Sequence, residues 1–103
     1  MQLAVCLGIN ATLTSLHLAF NNISDAGASE LAEGLRVNAT LTELILEANK
    51  IGDEGALQLA DCLRVNTTLT SLDLSGNDIG DAGIHALEAA CPPTCTLRLR
   101  YGF

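Results

Sequence analysis

The strongest constraint on the fold of this chain is a pattern that returns every 28 residues. Residues 13–21 recur as 41–49 and again as 69–77, each time as Leu-Thr-x-Leu-x-Leu-x-x-Asn. A fixed period of this length is typical of a solenoid, in which each unit buries its apolar face only against the next unit. We therefore expect three stacked units, which lies near the lower limit for a stable array.

Each unit is predicted to run strand, turn, helix, turn. Within 41–68, the alternating leucines of 44–46 indicate a short strand. Asp53 is predicted to be the N-cap of the following helix. Asn66 is predicted to end that helix in the left-handed region, which asparagine tolerates better than most residues. Right-handed connections then place all strands in one parallel sheet lined by helices.

The spacing Leu-x-x-Leu-x-Leu-x-x-Asn-x-Ile-x-x-x-Gly resembles leucine-rich repeats of the ribonuclease-inhibitor type. The Val-Asn-x-Thr-Leu-Thr junctions at Val37 and Val65 are similar to the repeat regions of NOD-like receptors. The resemblance implies an α/β leucine-rich repeat solenoid, a short horseshoe with parallel strands on the concave face and helices on the convex face. It also implies a protein-binding scaffold without catalytic activity, although a fold does not specify a partner.

The chain is predicted to form one leucine-rich repeat domain over 1–103. Its parts are a partial N-terminal unit, three repeats and a terminal strand, at 1–12, 13–40, 41–68, 69–96 and 97–103. Leu97 follows Leu72 by 25 residues, so the last link is three residues shorter than the others. An unpaired strand edge there would recruit another strand. We expect self-association through an uncapped end, most simply as a two-fold homodimer.

Composition narrows the classes of partner. The net charge is −7 and only 3% of residues are aromatic, which disfavours nucleic acid, because nucleic acid requires a basic face with stacking aromatics. No stretch approaches the roughly 18 to 20 apolar residues of a membrane span. The apolar start has no basic segment, so we expect no signal peptide. These features favour a cytoplasmic protein with a protein partner and no association with a membrane. The negative charge fits a basic partner, or it serves solubility alone.

The four cysteines are predicted to be reduced. Cys6 and Cys62 lie two periods apart, about 16–20 Å at ordinary helix spacing, which exceeds the ~7 Å limit for a disulfide. Cys91 falls at a leucine position of the repeat and is predicted to be a core residue. Cys95 is close enough in sequence for a local bridge to Cys91, although two intervening prolines constrain it. A zinc site formed by His85, Cys91 and Cys95 would lack a fourth ligand and a recognised spacing. We therefore expect no metal and no cofactor.

Two sets of asparagines recur with the period. Asn21, Asn49 and Asn77 are predicted to satisfy backbone groups where each strand bends into its turn, since an amide both donates and accepts. Three of the four glycosylation sequons share a helix-end position where asparagine serves the backbone, so glycosylation is the weaker interpretation. The sequons are at Asn10, Asn22, Asn38 and Asn66.

Three carboxylates, those of Glu43, Glu47 and Asp73, are not explained by helix starts, helix surfaces or turns. Side chains between the buried leucines of a strand point to its other face, here the concave one. Ile45, ringed by these carboxylates, is expected to be exposed and to form a hot spot for a basic partner. The alternative is a solvated sheet face without a partner. The predicted protein-binding residues are Ser15, His17, Glu43, Ile45, Glu47, Ser71, Asp73 and Ser75.

These sequence features leave three functions to compare. The leading hypothesis is noncatalytic protein recognition through the concave strand face. The second is a structural array that associates chiefly with copies of itself. An enzymatic or GTPase-activating role is disfavoured, since His17 has no assigned nucleophile and Arg98 and Arg100 are expected to lie in an irregular tail.

Overall fold

The computed structural model describes residues 14–99. Short strands and longer helices alternate along the whole of this segment. The elements are β1 (Ser15–His17), α1 (Asp25–Val37), β2 (Glu43–Ile45), α2 (Asp53–Val65), β3 (Ser71–Asp73), α3 (Asp81–Ala90) and β4 (Thr96–Arg98). The predicted α/β repeat solenoid is confirmed.

The strands form one parallel sheet in the order β1-β2-β3-β4. Residues one period apart pair across it, so that Leu44 lies opposite both Leu16 and Leu72. The shorter last link keeps this register, because Leu97 pairs with Leu72 and Arg98 with Asp73. Arg98 therefore lies in a regular strand, and the expectation of an irregular tail is wrong at this residue. Arg100 lies outside the described residues.

The core is a continuous layer between the sheet and the helices. Small side chains at matching positions, such as Ala32 and Ala60, are buried and let neighbouring helices approach closely. Fully burying a leucine contributes about 1.5–3 kcal/mol, so most of the stability comes from this layer. The largest fully buried side chains are Leu31, Leu35, Leu41, Leu44, Leu46, Ile51, Leu59, Leu69, Leu72, Leu74 and Leu87.

The asparagines after the strands hold adjacent units together. The Asn49 amide nitrogen donates to the carbonyl oxygens of Leu18 and Leu46, both at 3.0 Å. Its oxygen accepts the N–H of Ile23 at 3.1 Å. Asn77 repeats the donation to Leu46 at 2.9 Å one unit further on. The backbone role predicted for these asparagines is confirmed.

The aspartates at the helix starts act on the next helix instead of their own. α2 begins at Asp53 after Gly52, and no side chain caps it from the N-cap position. Asp53 Oδ1 instead accepts the N–H groups of Gly80 (2.7 Å) and Gly83 (3.2 Å) at the start of α3. Asp25 caps α2 in the same way. The prediction that Asp53 caps its own helix is wrong, because Asp53 is the first helical residue and the N–H groups of Gly52 and Gly55 are already bonded to Asp25.

The asparagines at the helix ends also differ from expectation. Asn66 has φ −83° and ψ 121°, which is extended backbone and not the predicted left-handed conformation. Its side chain makes the stabilising contacts. The amide nitrogen donates to the carbonyl oxygens of Leu35 (2.7 Å) and Asn38 (3.1 Å), and the oxygen accepts the N–H of Leu69 (2.9 Å). This buried, fully bonded amide leaves no room for a glycan.

The described cysteines Cys62, Cys91 and Cys95 are free, and Cys6 lies outside the described residues. Cys91 packs against the core but is only half-buried, so the core position predicted for it holds in part; within residues 14–99 no helix follows α3 to cover it. Between residues 14 and 99, no group of side chains is arranged to hold a metal. The helices of this segment are too short to cross a membrane.

Candidate functional site

The concave strand face consists of the strand side chains opposite the buried leucines. Strand register brings six of the eight predicted binding residues into two rows across β1, β2 and β3. The first row continues to Thr96 in β4 and the second to Arg98. The first row contains Ser15, Glu43 and Ser71, and the second contains His17, Ile45 and Asp73.

Ser15, His17 and Glu43 form a hydrogen-bonded cluster at one end of this face. Ser15 Oγ donates to Glu43 Oε1 at 2.6 Å. His17 Nε2 lies 3.0 Å from the same oxygen and 3.0 Å from Ser15 Oγ. These bonds hold the pKa of Glu43 below its ordinary value. The bond from Ser15 has the larger effect and the bond with His17 the next largest. Hydrogen bonds to the charged form favour that form, so Glu43 is a preorganised anion.

The cluster has the residue types of a Ser-His-acid triad without its geometry. In a triad, one imidazole nitrogen takes the serine proton and the other is held by the acid. Here His17 Nε2 meets both Ser15 and Glu43, and the Ser15 hydroxyl donates to the carboxylate. The acid therefore does not hold the second imidazole nitrogen, as it does in a triad. The arrangement presents a fixed carboxylate and an exposed imidazole, a surface suited to polar contacts.

Asp73 is also held in place, but by a residue predicted to be part of the binding face. Ser75 donates its backbone N–H (3.0 Å) and its hydroxyl (2.6 Å) to Asp73 Oδ1. Ser75 is only 1% exposed, because the chain turns inward after β3. It therefore orients Asp73 and offers no surface of its own.

Ile45 and Glu47 are both half-buried. The expectation of an exposed Ile45 is wrong in degree, since its side chain lies in a row between His17 and Asp73, and neighbouring strands are only about 4.8 Å apart. Ile45 therefore contributes an apolar floor between polar side chains, not a projecting anchor.

Phe20 is an exposed aromatic residue that the repeat pattern did not single out. It follows β1 by three positions, has φ +59° and is 76% exposed. Ala48 and Gly76 hold the same place in the next units, with φ +57° and +73°. Gly76 is the signal in the sequence, because glycine before the recurring asparagine indicates a left-handed residue. Because the first unit has phenylalanine at this position, its sequence does not indicate the left-handed backbone.

A groove opens at the far end of the array, next to β4. It measures about 630 Å³. The Cys95 thiol is a poor nucleophile at neutral pH. Burial is the main cause of a Cys95 pKa raised to about 11, and the neighbouring Cys91 adds to it. Cys91 Sγ lies 3.2 Å from the Cys95 carbonyl oxygen. The lining residues are Ile84, Glu88, Cys91, Cys95, Leu97 and Leu99.

Comparison with known proteins agrees with this architecture. The family model described as Leucine Rich repeat matches residues 10–32, 37–60 and 65–87. These segments make up more than half of the chain, which belongs to the leucine-rich repeat family. Membership supports a non-enzymatic protein-interaction module. No curated protein matches the chain.

A similar solved structure is described as Leiomodin-1 Actin-Binding Site 2. The TM-score is 0.80 at 22% sequence identity, and the match covers 96% of this chain and 60% of that one. The chain thus spans about 60% of the length of the structure that it matches. At this identity the likeness shows a shared fold.

Proposed function

We propose that this chain is a noncatalytic binding module that recognises a basic protein segment through its concave strand face. The observation that carries the proposal is Glu43, whose carboxylate is held ionised on that face by Ser15 and His17. This carboxylate is part of no helix, turn or core. An anion positioned on an open face favours a cationic partner.

Most of the surrounding charges support the same partner chemistry, with Arg98, which pairs with Asp73 across the sheet, as the exception. Asp73 is oriented by Ser75 on the same face, and the chain as a whole carries a net charge of −7. A single exposed ion pair contributes only about 0.2–1 kcal/mol. Binding therefore depends on several contacts together, and the summed field chiefly accelerates encounter with a basic partner.

Three further properties belong to the proposal. The ribonuclease-inhibitor type, with its likeness to NOD-like receptor repeats, is supported by a helix of 10 to 13 residues after each three-residue strand β1 to β3. A cytoplasmic location is supported by the free thiols of Cys62, Cys91 and Cys95. A single domain over 1–103 is supported by unbroken strand pairing from β1 to β4.

The test begins with a random peptide library selected on the immobilised full chain. We expect the selected peptides to be rich in arginine and lysine. Actin is added as a separate probe, because the similar solved structure is described as an actin-binding site.

The affinity of the selected peptides is then compared between two triple variants. The first, Glu43→Gln with Ile45→Ala and Asp73→Asn, removes the concave contacts. We expect it to weaken binding at least about tenfold, or about 1.4 kcal/mol.

The control triple variant makes equivalent changes on exposed helix positions. It combines Glu33→Gln, Leu57→Ala and Asp61→Asn, all at exposed side chains. We expect it to bind within about twofold of the wild type, because it changes the same net charge away from the strand face. Equal loss in both variants, or loss in neither, would refute the strand face as the binding site.

Self-association through the β4 end is a second candidate, favoured by the groove beside β4. Ile84, Leu97 and Leu99 line it and are only half-buried. Among residues 14–99, β4 has no strand on its outer edge. Light scattering at tens of micromolar should show a homodimer that Ile84→Lys converts to monomer. A wild-type monomer throughout that range would rule this candidate out.

A further inference from the structure

Phe20 combines two properties that folding alone does not explain. Its backbone lies in the left-handed region at φ +59° and its side chain is 76% exposed. Residues with a Cβ are unfavourable in that region, and bulky ones are uncommon there. Gly76 occupies the same position two units later, so the turn itself needs no aromatic side chain.

The ring gains little from packing in return. Its neighbours Leu18 and Ile23 pack against the hydrophobic core, whereas Phe20 remains open to solvent. A single exposed apolar residue is ordinary on protein surfaces. An exposed aromatic on an unfavourable backbone is less so, and such positions cluster at binding sites.

Hydrogen bonds keep the Phe20 backbone in place. Its N–H donates to the carbonyl oxygen of Glu47 at 2.9 Å. The next residue, Asn21, donates through its side chain to the carbonyl oxygen of Leu18 at 2.9 Å. A side chain on a fixed backbone loses less freedom on binding than one on a mobile loop.

The ring is accessible, and an acidic residue of the next unit pairs with the Phe20 backbone. The corresponding position of the next unit holds only Ala48. Glu47 is one of the carboxylates of the candidate surface, and its backbone carbonyl oxygen accepts the Phe20 N–H at 2.9 Å. Phe20 is thus joined through its backbone to an acidic residue of that surface.

We propose that Phe20 is the aromatic anchor of this surface and that it receives an arginine side chain from a basic partner segment. This proposal rests on the proposed function, because it identifies which cation the acidic face takes and where. A guanidinium stacks flat on an aromatic ring and is attracted by its negative face. The net negative charge of the chain, −7, attracts the same cation.

The test measures binding of a fluorescein-labelled arginine octapeptide to the full chain and three variants. Phe20→Gly is expected to weaken binding roughly threefold to thirtyfold while leaving the thermal midpoint equal or higher. Ala48→Gly relieves the same backbone conformation without removing a ring, so its binding should stay within about twofold of the wild type. Phe20→Leu keeps an apolar side chain without the π-face and should also bind more weakly than the wild type.

The outcomes separate this proposal from the one on which it rests. Glu47→Gln and Glu33→Gln remove the same charge from the strand face and from α1. If the octapeptide does not bind, or if these two variants lose equally, both proposals fail. If Glu47→Gln alone weakens binding but Phe20→Gly matches Ala48→Gly, the anchor is overturned and the strand face stands. Binding by Phe20→Leu at wild-type strength would also overturn the anchor.

Discussion

The unit 41–68 and the last full unit, 69–96, share one motif but not one environment. In the first, Ala60 packs between helices and is 1% exposed, whereas Glu88 holds the same position in the last unit and is exposed. In a solenoid each unit is stabilised by its neighbours. The same residue therefore contributes more to the stability of the fold in a unit that is packed on both sides. Substitutions at equivalent positions measure this difference in the free energy of unfolding.

The largest effect is expected for the leucine that follows each strand. Leu46 is completely buried, so Leu46→Ala should lower the free energy of unfolding by about 2–5 kcal/mol through a core cavity. In so small an array this change threatens the whole fold. Urea denaturation followed by circular dichroism measures it.

Leu99 is the matched position beside the groove and is only half-buried. Leu99→Ala should cost less than about 1.5 kcal/mol, since less apolar surface returns to water. A loss equal to that of Leu46→Ala would contradict the comparison. A loss that grows with protein concentration would sharpen it, because it would indicate a second copy covering Leu99.

A smaller difference is expected between the helix-start aspartates. Asp53→Ala removes the cap of α3, formed by the bonds to Gly80 and Gly83, and should cost roughly 1–2 kcal/mol. Asp81 holds the same position, but no helix follows its unit within residues 14–99. Asp81→Ala should therefore lose only the helix-dipole contribution of about 0.3–1 kcal/mol. Thermal unfolding of both variants tests this, and equal shifts would show that the cap across units adds nothing.

These contrasts also show how far the sequence alone predicts the molecule. The period places strands, helices and the buried leucines such as Leu46, because burial repeats wherever the pattern repeats. It does not show that Asp53 caps the next helix, because that contact joins groups 27 and 30 residues apart. Capping rules based on sequence consider one helix at a time and therefore do not detect a cap between units.

The candidate site is predictable only in part for a similar reason. Alternation along a strand correctly placed Glu43 and Asp73 on one face, since successive side chains point to opposite sides. It could not show the burial of Ser75, which depends on where the chain turns. Phe20 was missed because its left-handed backbone is visible only through its counterpart Gly76.

The smallest effect is expected on the pKa of the Glu43 carboxyl group. It is tested by the same substitution at two equivalent positions, Ser15 and Ser71. Ser15 and Ser71 flank Glu43 in the sheet, but only for Ser15 is a hydrogen bond to its carboxylate observed. Ser15→Ala should raise the pKa of Glu43 toward its ordinary value of 4.5, because the largest cause of the lowering is removed. The His17 contact should keep the rise incomplete. Ser71→Ala should leave this pKa unchanged.

The direction of this shift also determines how binding should depend on pH. A lowered pKa in the folded state means that Glu43 stabilises the fold above the unfolded-state pKa, and that this contribution is lost as pH falls through the folded-state value. Binding of a basic segment by Glu43 should fade over the same acidic range, and in Ser15→Ala it should fade at a higher pH than in the wild type. NMR titration of the Glu43 carboxyl carbon measures the pKa directly. An unchanged or lower pKa in Ser15→Ala would show that the serine does not hold this anion, and the proposed partner chemistry would lose its main support.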